Sequence, residues 1–171
     1  EVVNGTSYLF AEFRPETMSD SRVRGYRLSG TLYPLWFGVW NKDGSYREYG
    51  RDANGENSRL PANSDGTQTP NVALSWAMNK LRDAGGNYIR FVYGLDGNNG
   101  EQWISEVRYT GNENTGLTPE SANHKITFTY NVAGAPFERS YVARSRVQRT
   151  RHLQVIKSLS GNQEVRRYTM N

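Results

Sequence analysis

The feature that most constrains this chain is a recurring period of two. Short runs in which apolar side chains alternate with polar ones stand between pairs of turn-forming residues. The clearest is 125–130, where Ile126, Phe128 and Tyr130 alternate with Lys125, Thr127 and Thr129. Successive side chains of a strand point to opposite faces, so this spacing buries one face and wets the other. Residues 103–109 repeat it, with Trp103, Ser105, Val107 and Tyr109 set against Glu106 and Arg108. In 88–93, Ile89, Phe91 and Tyr93 alternate with Tyr88, Arg90 and Val92. The punctuation is Asp43-Gly44, Asn54-Gly55, Asp65-Gly66, Asp96-Gly97, Asn99-Gly100 and Gly161-Asn162. Such pairs accept the positive φ of a tight hairpin turn.

Two segments need arbitration. Residues 72–81 hold good helix formers, yet Val72, Leu74, Trp76 and Met78 alternate with smaller or polar residues. On a helix the four large side chains would fall on opposed sides, so the segment reads as strand. Leu35 to Trp40 is apolar on both faces and reads as a strand covered from both sides. Arg51 to Pro70 and Asn112 to Asn123 read as long polar loops, and the first 30 residues alternate only weakly. The fold predicted is all-β: an antiparallel meander of roughly eight to ten strands with long polar loops, sandwich-like or an open curved sheet. Residues 1–171 read as a single β-rich domain. Because the pattern runs from Glu1 up to Asn171, the expectation is a fragment of a longer protein.

Composition excludes several chemistries. The 171 residues include no Cys and two His, His124 and His152, which removes disulfide frameworks, thiolate metal sites and Cys nucleophiles. No apolar run approaches the roughly 18 residues of a membrane-spanning helix. Aromatic residues at 12% supply the core material that a disordered chain lacks. A Ser/His/acid triad has no Gly-x-Ser-x-Gly elbow near either His. Glu48, Asp83, Glu101 and Glu106 are ordinary turn and strand carboxylates, so the chain is expected not to be an enzyme.

Charge is uneven. Residues 1–138 carry 13 basic and 16 acidic groups, a net of −3, whereas 139–171 carry eight basic groups and Glu164, a net of +7. The cations, among them Arg144, Arg146, Arg149 and Arg151, interleave with Tyr141, Val147, Leu153 and Val155 at strand spacing. That pattern favours a solvated or interdomain face over an anionic glycan or membrane surface, and both of these over nucleic acid. Trp36, Trp40, Trp76 and Trp103, with Tyr33, Tyr46 and Tyr109, are core candidates first. An alternative makes Trp36, Trp40 and Trp103 a stacking platform for sugars, with those arginines beside it. Asp52 and Asn54, and Asp96 and Asn98, lie in oxygen-rich runs that suit Ca²⁺, though neither run has the full loop spacing. The simpler reading is turns in which Asp and Asn cap their own backbone, with no cofactor.

Four units also carry a resemblance. Trp76 to Tyr93 resembles a Trp-led strand followed by an Asp-x-x-Gly-Asn turn and a Tyr-rich return strand. Phe37 to Gly50, with Lys42-Asp43-Gly44 and Tyr46-x-x-Tyr49-Gly50, is similar to the preceding hairpin. Ile104 to Asn112 resembles the next strand and turn, and Ser140-Tyr141-Val142 through Arg167-Tyr168 resembles the closing unit. Together, from about Leu35 onward, they resemble the SpvB-like, or toxin-complex B-component-like, amino-terminal region of bacterial RHS-associated proteins. The resemblance implies a secreted or cell-surface bacterial protein, toxin or toxin carrier, in which the β-rich part is scaffold against flanking domains and chemistry lies elsewhere. Arg47-Glu48-Tyr49-Gly50-Arg51 only approximates the Tyr-Asp-x-x-Gly-Arg repeat of full RHS proteins, and no ADP-ribosyltransferase motif is present.

Overall fold

The computed structural model describes residues 1–3, 5–17, 20–51, 58–132, 134–136 and 138–170. A small hairpin of β1 (Val2–Val3) and β2 (Thr6–Ser7) precedes β3 (Leu9–Phe13), β4 (Arg22–Arg27), β5 (Trp36–Trp40) and β6 (Tyr46–Tyr49). A side hairpin, β7 (Arg59–Ser64) and β8 (Thr67–Trp76), interrupts the series before β9 (Met78–Arg82), β10 (Asn87–Asp96) and β11 (Glu101–Asn112). One helical turn, α1 (Pro119–Ala122), leads into β12 (His124–Val132). A second side hairpin, β13 (Glu138–Val142) and β14 (Ser145–Arg149), precedes β15 (Arg151–Ser160) and β16 (Gln163–Thr169).

Ten strands form one antiparallel sheet in the order β16-β15-β12-β11-β10-β9-β6-β5-β4-β3. Spatial order follows chain order, the two side hairpins being looped out. The sheets are antiparallel and not closed, as an all-β meander requires.

Residues 72–81 are strand, but in two pieces. At Ala77 the chain leaves one sheet for another: its N–H donates to the Ser58 carbonyl at 2.9 Å, and its carbonyl accepts from Gly50 N–H at 2.9 Å. The expectation of a loop over 51–70 is corrected, because β7 begins at Arg59 and β8 at Thr67. Pro61 and Asn63 hide the alternation there, since Asn63 is buried against the other side hairpin rather than in water. Within 112–123, Thr118 caps α1 through a reciprocal pair of bonds with Ser121. The weakly patterned first 30 residues supply β1 to β4.

The closed core is small. Tyr26, Trp36, Leu60 and Tyr88 are the buried large apolar residues among those described. Trp36 stacks on Tyr26 with ring centroids 3.7 Å apart, and Tyr8 meets Trp36 edge-on at 5.9 Å. Cross-strand partners share a face, so the register gives the sheet two unlike sides. One side runs through Val23, Phe37, Val39, Leu81, Ile89, Phe91, Val107, Ile126, Phe128 and Ile156. All ten are half-buried and none is fully enclosed. The opposite side carries Glu12, Arg24, Trp40, Tyr46, Lys80, Arg82, Arg90, Arg108, Glu106, Lys125, Lys157 and Arg167.

Candidate functional site

The two side hairpins and the β10–β11 turn meet at one junction, where Asp96, Asn98 and Arg146 gather, with Trp103 and Arg151 beside them. Asp96 accepts from the Asn99 backbone N–H at 3.1 Å and from its side-chain amide at 2.9 Å, which locks the turn. The Asn98 carbonyl accepts from an Arg146 guanidinium N–H at 3.4 Å, and the Asn98 amide oxygen accepts from Gln68 at 3.4 Å. Asn63 binds the Arg146 backbone twice: its amide donates to the carbonyl at 2.9 Å, and its oxygen accepts the N–H at 3.1 Å. Ser145, also buried, accepts from the Asn63 N–H. Arg146 reaches Asp65 at 3.4 Å.

Beside this knot, buried Glu101 gathers the start of β15. Its carboxylate accepts from the N–H groups of Thr150 (2.9 Å) and Arg151 (3.1 Å), from the Thr150 hydroxyl (2.6 Å), and from the Arg151 guanidinium. The same guanidinium lies 3.6 Å from the centre of the Trp103 ring. These contacts join residues about 50 positions apart, beyond the reach of a local pattern.

The remaining candidates are dispersed. Trp36 lies in the core, 3% exposed, and offers no free ring face. Trp40 is half-buried beneath the guanidinium groups of Arg22 (4.8 Å) and Arg24 (5.6 Å). Arg149 pairs with Glu138 at 3.3 Å on the surface. Arg144 is exposed at the β13–β14 turn, with no partner among the described residues. Asp52 and Asn54 lie outside the described residues. Among the described residues no group of three or more His, Cys, Asp or Glu side chains could hold a metal ion, and no helix is long and apolar enough to cross a membrane.

Five of the eight cations of the basic carboxy-terminal stretch meet carboxylates. Arg146 meets Asp65, Arg149 meets Glu138 and Arg151 meets Glu101, while Lys157 and Arg167 share Glu164. The same motif, one carboxylate between two cations, crosses the charged face of the sheet. Glu113 joins Lys80 and Arg82, Glu120 joins Arg90 and Arg108, and Glu106 joins Arg108 and Lys125. Burial opposes ionisation of Glu106, yet the Arg108 bond and the nearby Arg108 and Lys125 charges leave its carboxyl below the ordinary range. Glu113 is lowered in the same way, with Lys80 and Arg82 outweighing burial. Glu48, 2% exposed, accepts from Arg51 (2.7 Å), Tyr46 (3.1 Å) and Asn79 (3.0 Å). Burial and that carboxylate push the Tyr46 phenol far above its usual range.

These features define an open β-sheet panel whose polar groups are spent on holding strands and hairpins together. Comparison with solved structures places the fold more narrowly. The chain is similar to part of the TcdB2-TccC3-Cdc42 complex (TM-score 0.70, 12% identity), over 98% of this chain and 10% of that one. It is similar to the N-terminal domain of effector protein SpvB from Salmonella typhimurium strain LT2 (TM-score 0.67, 15% identity), over 90% of this chain and 58% of that one. TcdB2-TccC3 gives a TM-score of 0.66 at 12% identity, over 99% of this chain and 11% of that one. At these identities the likeness is one of fold. The chain spans about a tenth of the toxin-complex chains and 58% of the SpvB domain. No protein-family model and no curated protein matches the sequence.

Proposed function

We propose that this chain is a non-enzymatic structural module of a secreted bacterial toxin component, a panel that packs by its apolar side and its margins against neighbouring β domains. The observation that carries the reading is the apolar side, where ten aliphatic and aromatic residues from Val23 to Ile156 cross the sheet and none is fully enclosed. Arg47 stands on the same side between Val39 and Leu81, and a row of apolar residues left short of full enclosure is the kind of surface a neighbouring domain covers. The margins point the same way: Phe13 on β3 and Tyr168 on β16 are each about half exposed, at 49% and 51%. The fold shared with stretches of TcdB2-TccC3 and with the SpvB N-terminal domain supports a module seated within a longer chain. The polar junction serves in this reading as a clamp between hairpins.

Hydrogen–deuterium exchange tests it, comparing the 171-residue chain with the same residues inside its parent protein. The expected result is new protection of β3, β16 and the strands bearing the apolar side in the parent. Unchanged exchange would remove the packing role. Polysaccharide turnover abolished by a single carboxylate substitution, with the fold intact, would replace the reading with an enzymatic one.

A further inference from the structure

A cavity of about 480 Å³ lies at the end of the sheet where β9, β10 and β11 meet the loop before α1. Its size falls within the range of small-molecule sites. Leu81, Ile89 and Leu117 supply apolar wall, and Thr110 and Gly111 supply backbone. Asn87 and Asn112 stand at the rim, and the one charged residue among the lining residues is Asp83. Leu117 is 40% exposed, so this wall faces an open mouth rather than a sealed void.

A second observation concerns the floor. Tyr109 and Thr110 together oppose Ile89, which makes a β-bulge. Thr110 occupies it at φ +72°. A β-branched residue at positive φ is a genuine outlier, and bulges re-aim side chains beside sites. Here the strained residue lines the cavity.

The geometry points to a binding site for a small amine: a compact apolar body carrying one ammonium group, the body on Leu81, Ile89 and Leu117 and the ammonium toward Asp83. The Asp83 carboxylate is preset for this. Its two oxygens accept from the Asn87 backbone N–H (2.8 Å) and side-chain amide (2.9 Å), which hold the carboxyl in place and below its ordinary range. The Gly85 and Gly86 N–H groups add to the same effect. No cation lines the cavity to compete with the ligand. This inference does not depend on the structural-module reading.

The test is a titration of the methyl-labelled chain at neutral pH with three probes that share a phenylethyl body: 2-phenylethylamine, 2-phenylethanol and 3-phenylpropionate. The Leu81, Ile89, Leu117 and Thr110 methyl signals should shift saturably with the amine. The amine should bind about two- to fivefold tighter than the alcohol, the range of an exposed ion pair, and the carboxylate weakest. Asp83→Asn keeps an oxygen for the Asn87 N–H and should reduce the amine to the level of the alcohol. Should that variant not fold, a salt series on the unaltered chain decides, because the preference must shrink with added NaCl. Equal binding of amine and alcohol, a preference indifferent to salt or to Asp83→Asn, or saturable shifts confined to other methyls would each overturn the assignment.

Discussion

The Arg151 guanidinium rests 3.6 Å from the centre of the Trp103 ring while it donates to Glu101. A cation stacked on an aromatic face and bonded to a buried carboxylate is a fixed strut, since each contact orients the other. Glu101 is 7% exposed and also binds Thr150. This strut fastens the point where the second side hairpin returns to the main sheet.

Glu101→Ala should therefore destabilise the chain by about 2–4 kcal/mol, because the half-buried Arg151 charge loses its partner and the buried Thr150 N–H is left unsatisfied. Urea unfolding measures it. Trp103 emission should change with it, as the guanidinium is released from the ring. A loss under about 1 kcal/mol would mean the strut is ornamental.

Gly94 faces Trp103 across the β10–β11 pair. The indole occupies the space that a side chain at Gly94 would need. Gly94→Ala should cost about 1–3 kcal/mol by overpacking, despite the better strand propensity of Ala. Thermal unfolding followed at the tryptophan band reports both the loss and the displaced ring. A neutral result would show that the ring moves freely.

The β13–β14 turn is built from Ala143 (φ +48°) and Arg144 (φ +66°), two residues that adopt this region reluctantly. Replacing them by Asn and Gly, the favoured pair for a two-residue hairpin, should raise stability by about 1 kcal/mol. The midpoint of thermal unfolding should rise accordingly. A fall would show that Arg144 makes a contact worth more than the strain.

Acid should loosen the charged side of the sheet first. Glu106 and Glu113 have folded-state values below the ordinary 4.5. Their contribution is whole above about 4.5 and is lost as pH falls through the lowered folded values. Both are partly exposed, so each is worth about 1 kcal/mol or less after screening. A series of urea midpoints from pH 6 to 3 should fall, and the fall should flatten in Glu106→Gln and Glu113→Gln. An identical profile in those variants would assign acid sensitivity to other groups.

What could be read from the residues divides along physical lines. Strands such as 125–130 and 88–93 were legible because burial of one side imposes a local period. The hairpin of β7 and β8 was not, since Asn63 finds its partners on β14, 83 positions away. The break at Ala77 was likewise hidden, because a chain can change sheets without a Gly or Pro to mark it. The turn at Ala143-Arg144 lacks turn chemistry, so β13 and β14 merged into one basic segment. Of the candidate site, Asp96, Asn98, Trp103, Arg146 and Arg151 converge, whereas Glu101, Asn63, Ser145 and Thr150 needed three-dimensional proximity to be recognised. The aromatic interior expected from composition is present at Tyr26, Trp36 and Tyr88, whereas the apolar residues from Val23 to Ile156 are only half-buried.

Because each main-sheet strand lies beside its neighbours in chain order, no segment must be threaded past another during assembly. Such a ribbon tolerates growth or trimming by whole hairpins at either border, and the hairpins β7–β8 and β13–β14 are already insertions between consecutive strands of the main sheet. Diversification in this architecture can therefore proceed by addition, leaving the established pairings untouched.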